Sequence, residues 1–252
     1  MSFDVAADAY DQFMGKFSRL LAPQMADLAE VRGGQRALDV GCGPGALTAE
    51  LVRRLGPEAV SAVDPSEPFV AAALARNPGV NVLRASAEEL PFPDQTFDAV
   101  LAQLVVHFMS DPVAGLAEMA RVARREGVVA ACVWDHAGGK GPLGLFWDAA
   151  RALDPGVADE SQMAGAREGQ LGELFEAAGL HDVQETSLSA DLEQATFEEW
   201  WEPFTRGVGP AGAYVARLDA ERQARLREEC RLLTPTAPFT VTARAWAALG
   251  IA

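Results

Sequence analysis

Arg36-Ala-Leu-Asp-Val-Gly41-Cys-Gly43-Pro-Gly45-Ala-Leu-Thr48 passes from a short apolar run through three closely spaced glycines into a helix-like segment. Glycines at such a junction let the backbone approach a ligand with no Cβ in the way. The helix that follows offers free N–H groups and the positive end of its dipole. Leu47, Leu51 and Leu55 give that helix its apolar stripe, and Gly56-Pro57 closes it. The spacing Gly41-x-Gly43-x-x-Ala46, with Asp64 nineteen residues beyond Gly45, also satisfies the looser dinucleotide fingerprint. The glycines alone predict a strand–loop–helix and leave its ligand open; the plain alternative is a tight turn that binds nothing.

The same rhythm extends on both sides of the loop. Upstream, Phe13, Phe17, Leu20, Leu21, Met25 and Leu28 recur at steps of three and four, which predicts an amphipathic helix. Downstream, Val60–Val63, Val80–Ala85, Phe97–Gln103 and Gly127–Trp134 read as strands, with helices through Phe69–Ala75 and Val113–Arg124 between them. Nearly all-apolar strands separated by helices imply a parallel sheet covered on both faces, a doubly wound α/β core. After Trp134 comes a flexible Gly-rich loop, His136–Pro142, and then helical patterns without strands between them. Val183–Ala190 and Phe239–Trp246 read as the last strands, and Thr196–Leu233 as helical with a break at Gly207-Val-Gly-Pro210. Four divisions are expected: an N-terminal helical cover over 1–35, an α/β core over 36–136, a first helical insertion and return helix over 137–182, and the last strands over 183–252 with a helical insertion at 196–235.

At 252 residues the chain can bury one full core with a sizeable insertion. Lys plus Arg is 21 against 36 Asp plus Glu, a net charge of −15. That balance disfavours nucleic acid and anionic membranes as partners, since both are bound through Lys and Arg. Arg217–Arg231 interleaves its arginines with Asp219, Glu221, Glu228 and Glu229, the pattern of a solvated helix face. Cys42, Cys132 and Cys230 are too few and too scattered for a disulfide framework or a Cys-based zinc site, and no metal-ligand cluster is visible. The opening, Met1 to Phe13, has neither a basic nor an apolar leader region, and no apolar stretch reaches the roughly 18 residues of a membrane span. A soluble, cytoplasmic protein is expected. The oligomeric state is not readable.

Asp39, two residues before Gly41, bears on the ligand. A carboxylate there repels a pyrophosphate but suits an ammonium and a sulfonium; bracing the loop N–H groups is its other reading. With Pro44 stiffening the loop beside Gly45, the stretch resembles motif I of the class I S-adenosylmethionine-dependent methyltransferases, in which an acidic residue precedes a G-x-G-x-G loop. The likeness continues in order. Asp64 matches the acidic residue that hydrogen-bonds the ribose hydroxyls. Ala85-Ser-Ala-Glu-Glu-Leu-Pro-Phe-Pro-Asp94 with Thr96-Phe-Asp98 is similar to the segment after strand three, and Gln103–Pro112 with Glu118-Met-Ala-Arg-Val122 to the fourth strand and next helix. The resemblance covers roughly residues 8–135 and is strongest to the branch of small-molecule and quinone-biosynthesis methyltransferases. That branch usually has Asp at the position of Ser86, where it reads the adenine amino group, and Pro-Gly-Gly at Arg125-Glu-Gly127.

The resemblance implies a seven-stranded, mostly parallel Rossmann-like sheet with an antiparallel last strand and a lid of helical insertions. It implies S-adenosyl-L-methionine as cofactor, S-adenosyl-L-homocysteine as its product, and a small-molecule methyl acceptor. Carried onto this chain, Gly41, Gly43, Gly45 and Asp39 hold the cofactor. Asp64 with Pro65 and Ser66 meets the ribose, at what reads as a solvent-facing strand end; helix capping before Pro65 is the competing role. Backbone or hydroxyl contacts from Ser86, Ala87 and Glu88 serve the adenine. Gln103 meets the ammonium group, through its backbone carbonyl more than its side chain. Tyr10 and Met14 cover the cofactor, whereas Phe17, on the same face, packs into the core.

His107 stands near the expected crevice and is the candidate proton acceptor; a structural hydrogen bond is its equal alternative. Trp147, Phe146, Phe175, Trp200, Trp201 and Phe204 read mostly as core of the insertions, some facing the crevice. Trp147, Trp200, Trp201 and Phe204 are expected to cover the methyl group, with Gly138, Gly139 and Gly141 letting the first insertion move. The functions to be separated are methyl transfer, an NAD-type oxidoreductase, and a non-catalytic S-adenosylmethionine-binding protein.

Overall fold

One sheet of seven strands organises the chain, in the order β3-β2-β1-β4-β5-β7-β6. The computed structural model describes residues 7–252; residues 1–6, the start of the expected N-terminal cover and of the leader reading, lie outside the described residues. The strands are β1 (Ala37–Val40), β2 (Val60–Asp64), β3 (Asn81–Arg84), β4 (Phe97–Gln103), β5 (Ala123–Trp134), β6 (His181–Gln194) and β7 (Phe239–Ile251). β1 to β5 pair in parallel, and β7 runs antiparallel to both β5 and β6, so β7 alone is reversed. A doubly wound dinucleotide fold runs 3-2-1-4-5-6. Here the reversed β7 takes the place beside β5, with Cys132 opposite Ala247 and Trp134 opposite Ala245.

The N-terminal helix predicted from Phe13 to Leu28 is continuous from α1 (Ala7–Tyr10) through a π-helical turn, Asp11–Gly15, into α2 (Lys16–Leu28). α3 (Ala46–Leu55) and α4 (Glu67–Arg76) follow β1 and β2, and α5 (Pro112–Val122) joins β4 to β5. α6 (Gly144–Leu153) belongs to the first insertion, and α7 (Gln170–Ala177) returns the chain to β6. α8 (Phe197–Trp201), α9 (Gly209–Arg217) and α10 (Ala220–Leu233) lie between β6 and β7.

Strand side chains alternate between two cores. Leu38, Val40, Val63, Val100 and Val129 face α5 and α7 through Leu116, Met119 and Phe175. The opposite face is lined by small residues, Ala37, Ala62, Ala99, Ala130, Ala245 and Ala247. Their lack of bulk lets Leu21 and Met25 of α2, and the aromatics of the insertions, come close to the sheet. Phe204 sits at the centre of that aromatic layer, its ring centroid 4.5 Å from Phe146, 5.0 Å from Trp200 and 5.1 Å from Phe13.

β6 is longer than the predicted Val183–Ala190 because it is an edge strand. From His181 to Ser189 most of its residues are exposed and polar, so no apolar alternation marks its length. The first insertion is less helical than expected. Only α6 forms there as a full helix, and the chain from 154 to 169 is irregular apart from one 3-10 turn, Glu160–Gln162. Among the described residues no helix is long and apolar enough to cross a membrane.

Candidate functional site

The loop after β1 is stitched to the end of β2. The Gly41 and Cys42 N–H groups both donate to the Val63 carbonyl at 2.8 and 2.9 Å, and Gly43 N–H donates to Asp64 Oδ2 at 2.8 Å. The other Asp64 oxygen accepts the Ser66 N–H at 2.8 Å. Gly41 and Gly43 have φ of +70° and +53°, a region open to glycine at little cost. Their surroundings differ. A Cβ on Gly41 would lie 2.5 Å from both Val105 methyls, whereas one on Gly43 would meet nothing within 4 Å. Gly41 is therefore required by packing, and Gly43 opens the loop on its free side. Gly45, at φ +96°, backs onto Asn77.

Asp64 is not the solvent-facing residue that the sequence suggests. It is 6% exposed, and burial raises its pKa against the two backbone N–H groups it accepts. It braces the loop and the turn into α4 together, and each of its oxygens keeps a lone pair for a ligand hydroxyl. Asp64→Ala should therefore lower stability and ligand affinity together, each by about 1–3 kcal/mol. A thermal melt combined with calorimetric titration of S-adenosylhomocysteine checks this; affinity lost with no change in melting would restore the sequence reading. Asp39 is also turned inward. At 1% exposure it accepts Thr48 Oγ1 at 2.6 Å, and burial pushes it up to about 7 against that bond. Its charge is thus muted near neutral pH, and the repulsion argument against a pyrophosphate loses force.

Gln103 ends β4, and its Nε2 donates to the Ser18 carbonyl of α2 at 3.0 Å. Its Oε1 is buried with no partner among the described residues, so the side chain, rather than the backbone carbonyl favoured from sequence, is the orphaned acceptor. Leu104, next in the chain, holds φ +63°, uncommon outside glycine, at the carboxyl end of the strand. Tyr10 stands 5.3 Å from Phe69 of α4, ring to ring. Its phenol is pushed up to about 12 by burial first, against the Ser18 hydroxyl, with Asp64 adding to the rise. On the far side, Ala87 is buried, and the Glu88 carboxylate accepts Ser110 N–H at 2.7 Å and Asp111 N–H at 3.3 Å. That engagement leaves the backbone of Ser86–Glu88 as the part suited to an adenine.

Beside these residues a cleft, about 450 Å³ with the open solvent at its mouth included, is lined by Tyr10, Phe13, Met14, Leu104, His107, Phe108, Trp134, His136, Glu160 and Val208-Gly-Pro210. His107 lies in a 3-10 turn after β4, 8% exposed, its ring 3.9 Å from Phe108 and 5.8 Å from His136. Burial, and then His136, hold it well below the usual histidine range, so it is neutral at neutral pH. Burial also brings His136 down to about 4, against Asp159 and Asp135.

The sequence reading passed over His136, Phe108, Trp134, Glu160 and the Val208–Pro210 turn. His136 was legible, because it follows β5 at the carboxyl end of the sheet, where ligands bind in such folds. Glu160 carried no signal; it lies in the aperiodic stretch before Gly169. The large aromatics are core of the insertions, as mostly expected, and do not form the cover over the methyl group that was also expected of them. Trp147, Trp200 and Trp201 are buried in the aromatic core with Phe204, and Val208-Gly-Pro210 faces the cleft instead. The loop with Gly138, Gly139 and Gly141 is pinned rather than free. Asp135, 1% exposed, takes Arg244 Nε at 2.9 Å and Gly138 N–H at 2.8 Å, and its carbonyl accepts the Lys140 and Gly141 N–H groups. No group of three or more potential metal-binding side chains occurs among the described residues.

Residues 38–131 match the family model described as a methyltransferase domain. The chain is 34% identical over 152 residues to 2-methyl-6-phytyl-1,4-hydroquinone methyltransferase 2, chloroplastic, of Oryza sativa subsp. japonica, covering 59% of this chain and 40% of that protein. It is 36% identical over 140 residues to the phosphatidylethanolamine N-methyltransferase of Cereibacter sphaeroides, covering 53% and 66%. It thus spans between 40% and 66% of the length of these relatives. In fold it is similar to a phosphoethanolamine N-methyltransferase 2 of Haemonchus contortus, solved with phosphomonomethylethanolamine and S-adenosylhomocysteine, with TM-score 0.60, 18% identity, and 99% and 57% of the two chains covered. The stretch that carries the glycine loop, residues 38–131, is thus a methyltransferase domain, set in a sheet that continues through the reversed β7.

Proposed function

We propose that the protein transfers a methyl group from S-adenosylmethionine to a small-molecule acceptor. The observation that carries this reading is the methyltransferase-domain match over residues 38–131, on a sheet whose reversed β7 departs from the dinucleotide-binding order. The residues present fit the cofactor: Gly43 leaves one side of the loop open, Asp64 keeps acceptor capacity for ribose hydroxyls, and the buried Gln103 Oε1 lacks a donor among the described residues. Tyr10 and Met14 would close over it from the N-terminal helix. When bound, S-adenosylmethionine supplies an electrophilic methyl carbon on a sulfonium that is its own leaving group.

The chain's task is then to hold the acceptor in line and dry. Proximity of that kind is worth several kcal/mol, about 7–11 at its limit. Phe13, Phe108 and Trp134 make the cleft wall apolar, and His107 offers a neutral imidazole to an acceptor that arrives protonated. The names of the relatives differ widely in acceptor, a hydroquinone in one and phosphatidylethanolamine in the other, so the cleft is the guide to the acceptor here. With a net charge of −15, nucleic acid is not part of the proposal. A cytoplasmic compartment is; the three buried cysteines, all free, support it.

Calorimetry separates this from an NAD-type oxidoreductase. S-adenosylhomocysteine should bind with micromolar affinity and NAD give no heat. NAD binding in place of S-adenosylhomocysteine would overturn the reading, and cofactor binding without turnover of any acceptor would leave a binding protein.

A further inference from the structure

We infer that the cleft beside Gln103 receives an uncharged, hydroxyl-bearing molecule with an aromatic or similarly flat apolar body, and that Glu160 binds its hydroxyl. This rests on the methyl-transfer reading and names the class of acceptor.

Glu160 is 2% exposed, and its Oε2 has no partner among the described residues. His107 Nδ1, on another wall of the same cleft, is likewise buried and unpartnered. Buried polar atoms are seldom left so, because each costs about 1–3 kcal/mol. Two of them on residues that line one largely apolar cavity mark the places where a ligand's polar atoms belong. Glu160 is held in position by its neighbours. Asp159 caps the turn through the Ser161 N–H at 2.9 Å and pairs with Arg151 of α6, which fixes the backbone on which Glu160 turns inward. The Trp147 indole N–H lies on the Glu160 side and favours its charged form, yet it makes no hydrogen bond of good geometry.

The composition of the walls selects the head group. No lysine or arginine is among the described residues lining the cleft. A carboxylate or phosphate head would enter beside a buried carboxyl with nothing to offset it, which is strongly unfavourable. A cationic head would need Glu160 ionised in a site whose other polar groups, His107 and His136, are held neutral by burial. A hydroxyl meets neither objection, since it donates to Glu160 Oε2 and accepts from an imidazole N–H. Phe108 and Trp134 suit a flat apolar body.

The test uses three probes sharing one body: 2-naphthol, 2-naphthoate and 2-naphthylmethylamine. Binding of each is measured calorimetrically to the full chain, with and without S-adenosylhomocysteine. 2-Naphthol should bind at least about tenfold more tightly than either charged probe. Glu160→Leu, close in size, should weaken 2-naphthol by roughly tenfold or more. It should leave S-adenosylhomocysteine affinity unchanged and the melting temperature equal or higher, because a buried carboxyl is removed. Tighter binding of either charged probe, binding of none, or unchanged 2-naphthol affinity in Glu160→Leu overturns the inference. Should that variant not fold, the order of the three probes on the wild-type protein decides alone. Absence of S-adenosylhomocysteine binding with the 2-naphthol preference intact would remove the methyl-transfer reading and leave the pocket assignment standing.

Discussion

Gly41→Ala and Gly43→Ala should fail in opposite ways. At Gly41 the new methyl would sit 2.5 Å from both Val105 methyls, on a backbone at φ +70°. Overpacking of that kind costs about 1–3 kcal/mol, and the left-handed backbone adds roughly 1–2 kcal/mol for an L-residue. The melting temperature should fall by roughly 5–15 °C, taking about 2–4 °C per kcal/mol for a chain of this size. At Gly43 only the backbone penalty applies, because a Cβ there meets nothing within 4 Å. That variant should stay folded and lose S-adenosylhomocysteine affinity by about a hundredfold, nearly 3 kcal/mol, since the methyl occupies the open side of the loop. Val105→Ala should return much of the stability of Gly41→Ala and do nothing for Gly43→Ala. Melting curves with calorimetric titrations read both quantities. A Gly43→Ala protein that binds S-adenosylhomocysteine normally would mean that the open side of the loop is not where the ligand lies.

This contrast also shows how far the sequence could be read. The run Arg36–Thr48 announced the strand, the turn and the helix because each residue's role there is local: apolar strand, glycine turn, leucine stripe. The division of labour between Gly41 and Gly43 was not legible, since it depends on Val105, sixty-four residues away in the chain. Asp39 and Asp64 were picked out correctly as residues of the loop region, but their burial came from α3 and from the loop folding back on β2. The full length of the edge strand β6 was not legible because its exposed face is polar, and Glu160 was missed because an irregular segment has no period to violate. Trp200 and Trp201 misled for the opposite reason. Large aromatics near a crevice attract a functional reading, yet burying them on a sheet face of alanines is where they contribute most to stability.

Asp39→Asn should gain stability over the wild type as the pH rises from weakly acidic to weakly alkaline. Asp39 and Glu160 are each raised by burial to about 7, and Asp64 is raised as well. A carboxyl whose pKa is higher folded than unfolded holds its proton longer in the native state. Its contribution is complete below the unfolded value, near 4, and is lost progressively as pH climbs to about 7. At about 1.4 kcal/mol per unit, Asp39 alone accounts for up to a few kcal/mol. His107 and His136, held neutral by burial, act the other way and withdraw stability as pH falls below the ordinary histidine value of 6.5; paired surface carboxylates do so at lower pH. Glu50, held low by Arg53 and Arg54, and Glu118, held low by Arg121, withdraw stability only as pH falls through their own lowered values. The wild-type melting profile between about pH 5 and about pH 8 sums these opposed contributions, so a variant is what isolates Asp39. Asp39→Asn cannot ionise, and its amide can still accept the Thr48 hydroxyl. It should melt higher than the wild type at the alkaline end and match it at the acidic end. An Asp39→Asn profile parallel to that of the wild type would mean that Asp39 is ionised in the native protein at ordinary pH. The carboxylate would then be available after all to face a cationic ligand across the glycine loop.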